Sequence, residues 1–126
     1  QNIEVITDMM CKPELISSTG QVRNIYVTEA GYTSTQGQNY QAAAFTYGYL
    51  QAAYNQYIDA FIVSNETDSA AEIPQGLAFG LTNMDGSHKL VYDYYKYINT
   101  ANAQAYMDNA KAVIGISDWG QVIFPR

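Results

Sequence analysis

A chain of 126 residues that is 48% apolar, with twelve acidic and six basic residues and a net charge of -6, has room for one domain with its own core. That balance argues against nucleic acid and anionic membrane as partners, because both demand clustered Lys and Arg, and no apolar run approaches the roughly 20 residues of a membrane span. A lone cysteine, Cys11, and a lone histidine, His88, exclude an internal disulfide and a cysteine–histidine zinc cluster. No metal or cofactor is expected, and neutral polar ligands fit best.

In chain order, Ile3, Val5, Ile6, Met9 and Met10 have helical spacing that Pro13 interrupts, and Ser17 to Gly20 reads as a polar turn. Ile25 to Thr28 follow as a strand rich in β-branched and aromatic residues, apolar enough to lie between two layers rather than face water. After a loop of small and hydroxylated residues, Gln38 to Asn55 predicts a long buried helix. Its inward residues are Ala42, Ala43, Phe45, Leu50, Ala53 and Tyr54, and Gly48 permits close packing.

Ile58 to Val63 is a second strand, closed by the polar run Ser64-Asn65-Glu66-Thr67-Asp68. A helix between two strands makes them parallel, so Glu29 and the residues from Asn65 to Asp68 should emerge at one end. Ala78 to Thr82 suggests an extension or hairpin piece, and Asp85-Gly86 a turn. His88 to Thr100 is a tyrosine-rich helix with Leu90, Val91, Tyr94, Tyr95 and Ile98 inward, and Ala103 to Ala110 is a further helical stretch before Trp119 anchors the tail.

Glu29 is the leading candidate for chemistry, because an apolar strand runs directly into it and then into Ala30-Gly31. Asn65 and Asp68 have the amide and carboxylate groups that pair with sugar hydroxyls, and Tyr32 could offer an aromatic face to a sugar ring. The competing reading is a solvated strand end, a capping loop and a packed tyrosine. Gly76 to Gly80 has no following Lys-Ser or Lys-Thr and is not a phosphate loop, and His88, which follows Gly86-Ser87 at an expected helix start, is part of no serine or cysteine nucleophile constellation.

The succession "NIYVTEAGYTS", "QNYQAAAFTYGYLQAA", "YIDAFIVSNETD" and "KLVYDYYKYI" resembles the C-terminal part of TIM-barrel glycoside hydrolases, in the clan whose nucleophile follows strand seven. It is similar, more narrowly, to bacterial glycosidase-like barrel domains that are uncharacterised. The resemblance implies an α/β fold comprising the last two to three β/α units of a barrel, with the first strand as the seventh and the second as the eighth. It places Glu29 at the nucleophile position and Tyr32, Asn65 and Asp68 in the sugar pocket. A retaining hydrolase also needs an acid/base carboxylate about 5–5.5 Å from the nucleophile, and in such barrels that group follows strand four, outside these residues.

The implied partners are a carbohydrate and either the remainder of the barrel or a second copy covering the open strand edges. The alternative function is a carbohydrate-binding or structural module that does not cleave. A chain starting at Gln1 reads as a processed product or a segment of a longer protein. Its single thiol leaves the compartment open, secreted or cell-surface bacterial included.

Overall fold

The computed structural model describes residues 2–126, which fold in the order α1 (Ile3–Met10), β1 (Ile25–Ala30), α2 (Gln38–Ala53), β2 (Ile58–Val63), α3 (Leu90–Tyr97) and α4 (Ala103–Ile114). Single 3-10 turns lie at Ile73–Gln75 and Trp119–Gln121. α1 stops two residues short of Lys12, because Pro13 cannot continue the ladder and disfavours helical backbone before it. Inside α1 the buried Thr7 accepts a hydrogen bond from Asn55 Nδ2 at 2.9 Å, which ties the helix to the turn between α2 and β2.

β1 and β2 pair in parallel, with Ile25 opposite Ile58, Val27 opposite Phe61 and Ala30 opposite Val63. Parallel neighbours need a crossover, and the sixteen residues of α2 supply it. Register irregularities interrupt β1 after Ile25 and after Val27. Phe61 and Val63 pack against the main core, whereas Tyr26 and Ile62 are 56% and 52% exposed, and Thr28 is also exposed. The sheet is therefore covered on one side, and the expected burial of the first strand between two layers does not hold.

The partial-barrel fold is also overturned. Among the described residues the sheet has two strands, and α3 and α4 both pack on α2, forming a small α/β domain rather than the closing units of a barrel. α2 explains why. Ala42, Ala43, Phe45, Thr46, Gly48, Leu50 and Ala52 are all buried, and these residues occupy more than one helical stripe, so the helix needs neighbours on several sides. A barrel helix packs chiefly on the strands beneath it; here α2 packs more on α3 and α4 than on β2.

Phe45, Val91, Tyr94, Ile98 and Ala110 join Ala42, Ala43 and Leu81 in that core. Tyr94 meets Tyr106 of α4 edge-on, with ring centroids 5.0 Å apart. Leu90 and Tyr95, expected on the inward stripe of α3, are 42% and 50% exposed, and Ala53 and Tyr54 at the end of α2 are exposed as well. Trp119 packs against the core, and the Arg126 backbone exchanges hydrogen bonds with Tyr54 and Gln56, which fastens the tail beside α2.

Candidate functional site at the strand ends

The parallel pairing brings the two C-terminal strand ends together, as the strand–helix–strand order requires. Ser64 N donates to Ala30 O at 3.1 Å, so the polar run after β2 starts directly beside the end of β1. Ala30 is fully buried and Glu29, one residue earlier, is exposed; the register irregularity between Val27 and Ala30 breaks the simple alternation and leaves Thr28 and Glu29 both exposed.

Asn65 is half-buried next to this edge and is joined to Ser64 by a cis peptide bond. Its side-chain amide is held from both ends: Oδ1 accepts from Ser64 Oγ at 2.6 Å, and Nδ2 donates to Glu72 Oε2 at 3.1 Å. Its backbone carbonyl accepts from Leu81 N at 3.1 Å, and the carbonyl of the exposed Glu66 accepts from Thr82 N at 2.9 Å. The segment expected to be an extension or hairpin thus makes two isolated bridges through Thr82, to Thr67 and to His88.

Asp68 lies deeper and serves the scaffold. Lys89 Nζ contacts its two carboxylate oxygens at 2.8 and 2.7 Å, and Gly80 N donates to Oδ1 at 2.8 Å. The lysine side chain is only 1% exposed and the aspartate 6%; Lys89 also donates to Ser34 Oγ at 3.0 Å and Ala78 O at 3.2 Å. One buried ammonium therefore joins the loop after β1, the loop after β2 and the start of α3. Gly80 is required at this junction, because a β-carbon there would run into the backbone of Thr67, Asp68 and Thr82.

Tyr32 also turns inward. Its ring meets Phe45 edge-on at 6.5 Å, and a β-carbon at Gly48 would collide with its hydroxyl, so the glycine provides the close approach expected from the sequence. Burial pushes the Tyr32 hydroxyl up to about 12. Nearby, Gln41 Nε2 donates to the carbonyls of Tyr32 at 2.9 Å and Gly80 at 3.1 Å, securing the same loops from α2.

The structure thus sets the strand ends that carry Glu29 and Asn65 side by side and places Asp68 and Tyr32 among the supports of the loops that follow them. It adds Glu72 and Lys89, neither of which sequence reasoning identified. Both reach their partners across a folded loop, Glu72 seven residues after Asn65 and Lys89 twenty-one after Asp68, with no periodic signal linking them. Beyond Asn65 opens a cleft of about 440 Å³ between the end of β2 and α3, bounded by Val63, Leu81, Glu66, Tyr92, Tyr95 and Lys96. The Lys96 ammonium lies 5.1 Å from the Tyr97 ring centroid. His88 is exposed and stacks on Tyr92 at 3.6 Å between centroids.

Among the described residues no helix is long and apolar enough to cross a membrane, and no group of three or more His, Cys, Asp or Glu side chains is arranged to hold a metal ion. Residues 1–122 match the model of a family of unknown function, DUF5722, and the chain belongs to that family. No curated protein and no solved structure matches it.

Proposed function

We propose that this member of the DUF5722 family acts on glycans, with Glu29 as a catalytic carboxylate of a glycoside hydrolase and the Asn65 loop beside it as part of the sugar-binding rim. The observation that carries the reading is the meeting of two strand ends: an exposed glutamate lies one residue before the end of β1, and the loop leaving the adjoining parallel β2 presents an amide fixed by hydrogen bonds on both of its polar atoms. The likeness of the segments around Glu29 and Asn65 to the last strands of glycoside-hydrolase barrels suggested the same chemistry, but the fold does not continue that barrel, so the reading stands on the strand-end geometry.

In this role the Glu29 carboxylate attacks the anomeric carbon as the glycosidic C–O bond breaks, the leaving oxygen takes a proton from a separate acid/base carboxylate, and water then hydrolyses the glycosyl ester, while Asn65 orients hydroxyls. Asp68 and Tyr32 contribute by holding the loops in place. In the natural protein, Glu29→Gln should lower release of reducing sugar from cellulose, xylan or mannan by about 10²–10⁴-fold while leaving glycan binding intact. Turnover unchanged by that substitution would defeat the reading. Binding of these glycans with no turnover in the unsubstituted protein would transfer the assignment to the carbohydrate-binding alternative.

A further inference from the structure

We infer that the cleft between the end of β2 and α3 is a saccharide-binding subsite, anchored by Asn65 and walled by Tyr92 and Tyr95; this rests on the glycan reading above and extends it from Glu29 to a second place. Its volume, about 440 Å³, lies within the range of small-ligand pockets. Val63 and Leu81 provide an apolar floor, suited to the C–H face of a sugar ring. Both tyrosines are braced from behind: Tyr92 stacks on His88 at 3.6 Å and 13°, and Tyr95 lies 5.9 Å from Phe45 of α2. Rings positioned by packing lose little freedom when a ligand arrives, and a tyrosine combines an apolar face with a polar tip.

The polar anchor is equally prepared. An amide side chain can make four hydrogen bonds, two at its oxygen and two at its nitrogen. Ser64 and Glu72 engage one on each atom of Asn65, which fixes the direction of the amide and leaves one acceptor position and one donor hydrogen. A donor and an acceptor side by side match a pair of vicinal hydroxyls. Glu72 is on this account a positioning residue that acts through Asn65. Glu66 and Lys96 bring one charge of each sign to the lining, so the cleft carries no excess of positive charge and suits a neutral saccharide rather than a polyanion.

The test is titration of the ¹⁵N-labelled chain with cellohexaose, xylohexaose and mannohexaose. Saturable shifts of the backbone amides of Asn65, Glu66, Tyr92 and Tyr95 with at least one of them are expected. Asn65→Ala and Tyr95→Ala should each weaken that binding by about tenfold, with folding verified by the dispersion of the remaining amide spectrum. Glu72→Ala should weaken it several-fold and Glu72→Gln should largely restore it, since a glutamine oxygen still accepts from Asn65; a purely structural role for Glu72 would not show that rescue at equal stability.

Shifts confined to Glu29 and the loop after β1 would overturn the subsite and the Asn65 part of the rim, and leave the catalytic assignment of Glu29 standing. The subsite would equally fall if none of the three oligosaccharides perturbed the cleft, or if folded Asn65→Ala and Tyr95→Ala bound as well as the parent. Cleft binding that persists while Glu29→Gln leaves turnover untouched would sink the catalytic reading and keep the subsite.

Discussion

The two sides of the β1–β2 ribbon contrast sharply. Toward α2 it presents Phe61 and Val63 to a core that contains Phe45, Val91 and Tyr94, while the opposite side leaves Tyr26 and Ile62 more than half exposed. Parallel sheets are ordinarily covered on both faces, so the open side is unusual and the covered side must supply most of the packing energy. The strand ends follow the same division. Asp68, Tyr32 and Lys89 are drawn toward the covered side and hold structure, whereas Glu29 remains exposed, available to a ligand.

The sharpest way to break this contrast is at the buried ion pair. Lys89→Met leaves the Asp68 carboxylate buried with Gly80 N–H but without its cation, and should destabilise the fold by about 3–5 kcal/mol in urea unfolding. A loss near that of a surface pair, under about 1 kcal/mol, would mean that water reaches the junction and that Asp68 belongs with the exposed Glu29. Adding Asp68→Leu to Lys89→Met should recover much of the stability, since the uncompensated charge goes with it.

Next in size is Gly48→Ala, which drives a methyl group toward the Tyr32 hydroxyl and should cost about 1–3 kcal/mol. Tyr32→Phe in the same chain should relieve part of that cost, and a double-mutant cycle showing no coupling would refute the packed position of Tyr32.

Alkaline titration sharpens the same point. The folded-state pKa of Tyr32 is raised from 10.0 to about 12, so above pH 10 the unfolded chain loses this proton while the folded chain retains it. Its contribution is complete below pH 10 and is lost as pH rises toward 12. Tyr32→Phe should flatten that part of the stability profile; an identical slope in both proteins would contradict the burial.

The smallest effect is expected on the bare side. Ile62→Thr retains a β-branched strand residue and should change stability by less than about 0.5 kcal/mol. A loss several times larger would show that this side is covered in solution.

Several features were legible because they arise from local chemistry. The 3.6-residue spacing around Ala42, Ala43, Phe45 and Leu50, the β-branched runs at Ile25 and Ile58, and the Asp85-Gly86 turn each reflect interactions between residues close in the chain. The parallel direction of the strands followed from the length of the helix between them. The outward Tyr95 was less legible, since α3 carries aromatics on nearly every face and its pattern alone does not choose which face is buried.

From the residues themselves came a single α/β unit, two parallel strands with a helix between them, and a glutamate at a strand's end, because periodicity and chain connectivity determine those. Only the folded molecule decided that α2 would gather α3 and α4 around it in place of a barrel's strand-by-helix layering, that Asp68 would be spent on Lys89, and that Asn65 would be aligned by Ser64 and Glu72. Those outcomes depend on which distant surfaces fill one another's volume and which buried charges find a partner. Such pairings join residues that no short stretch of sequence contains.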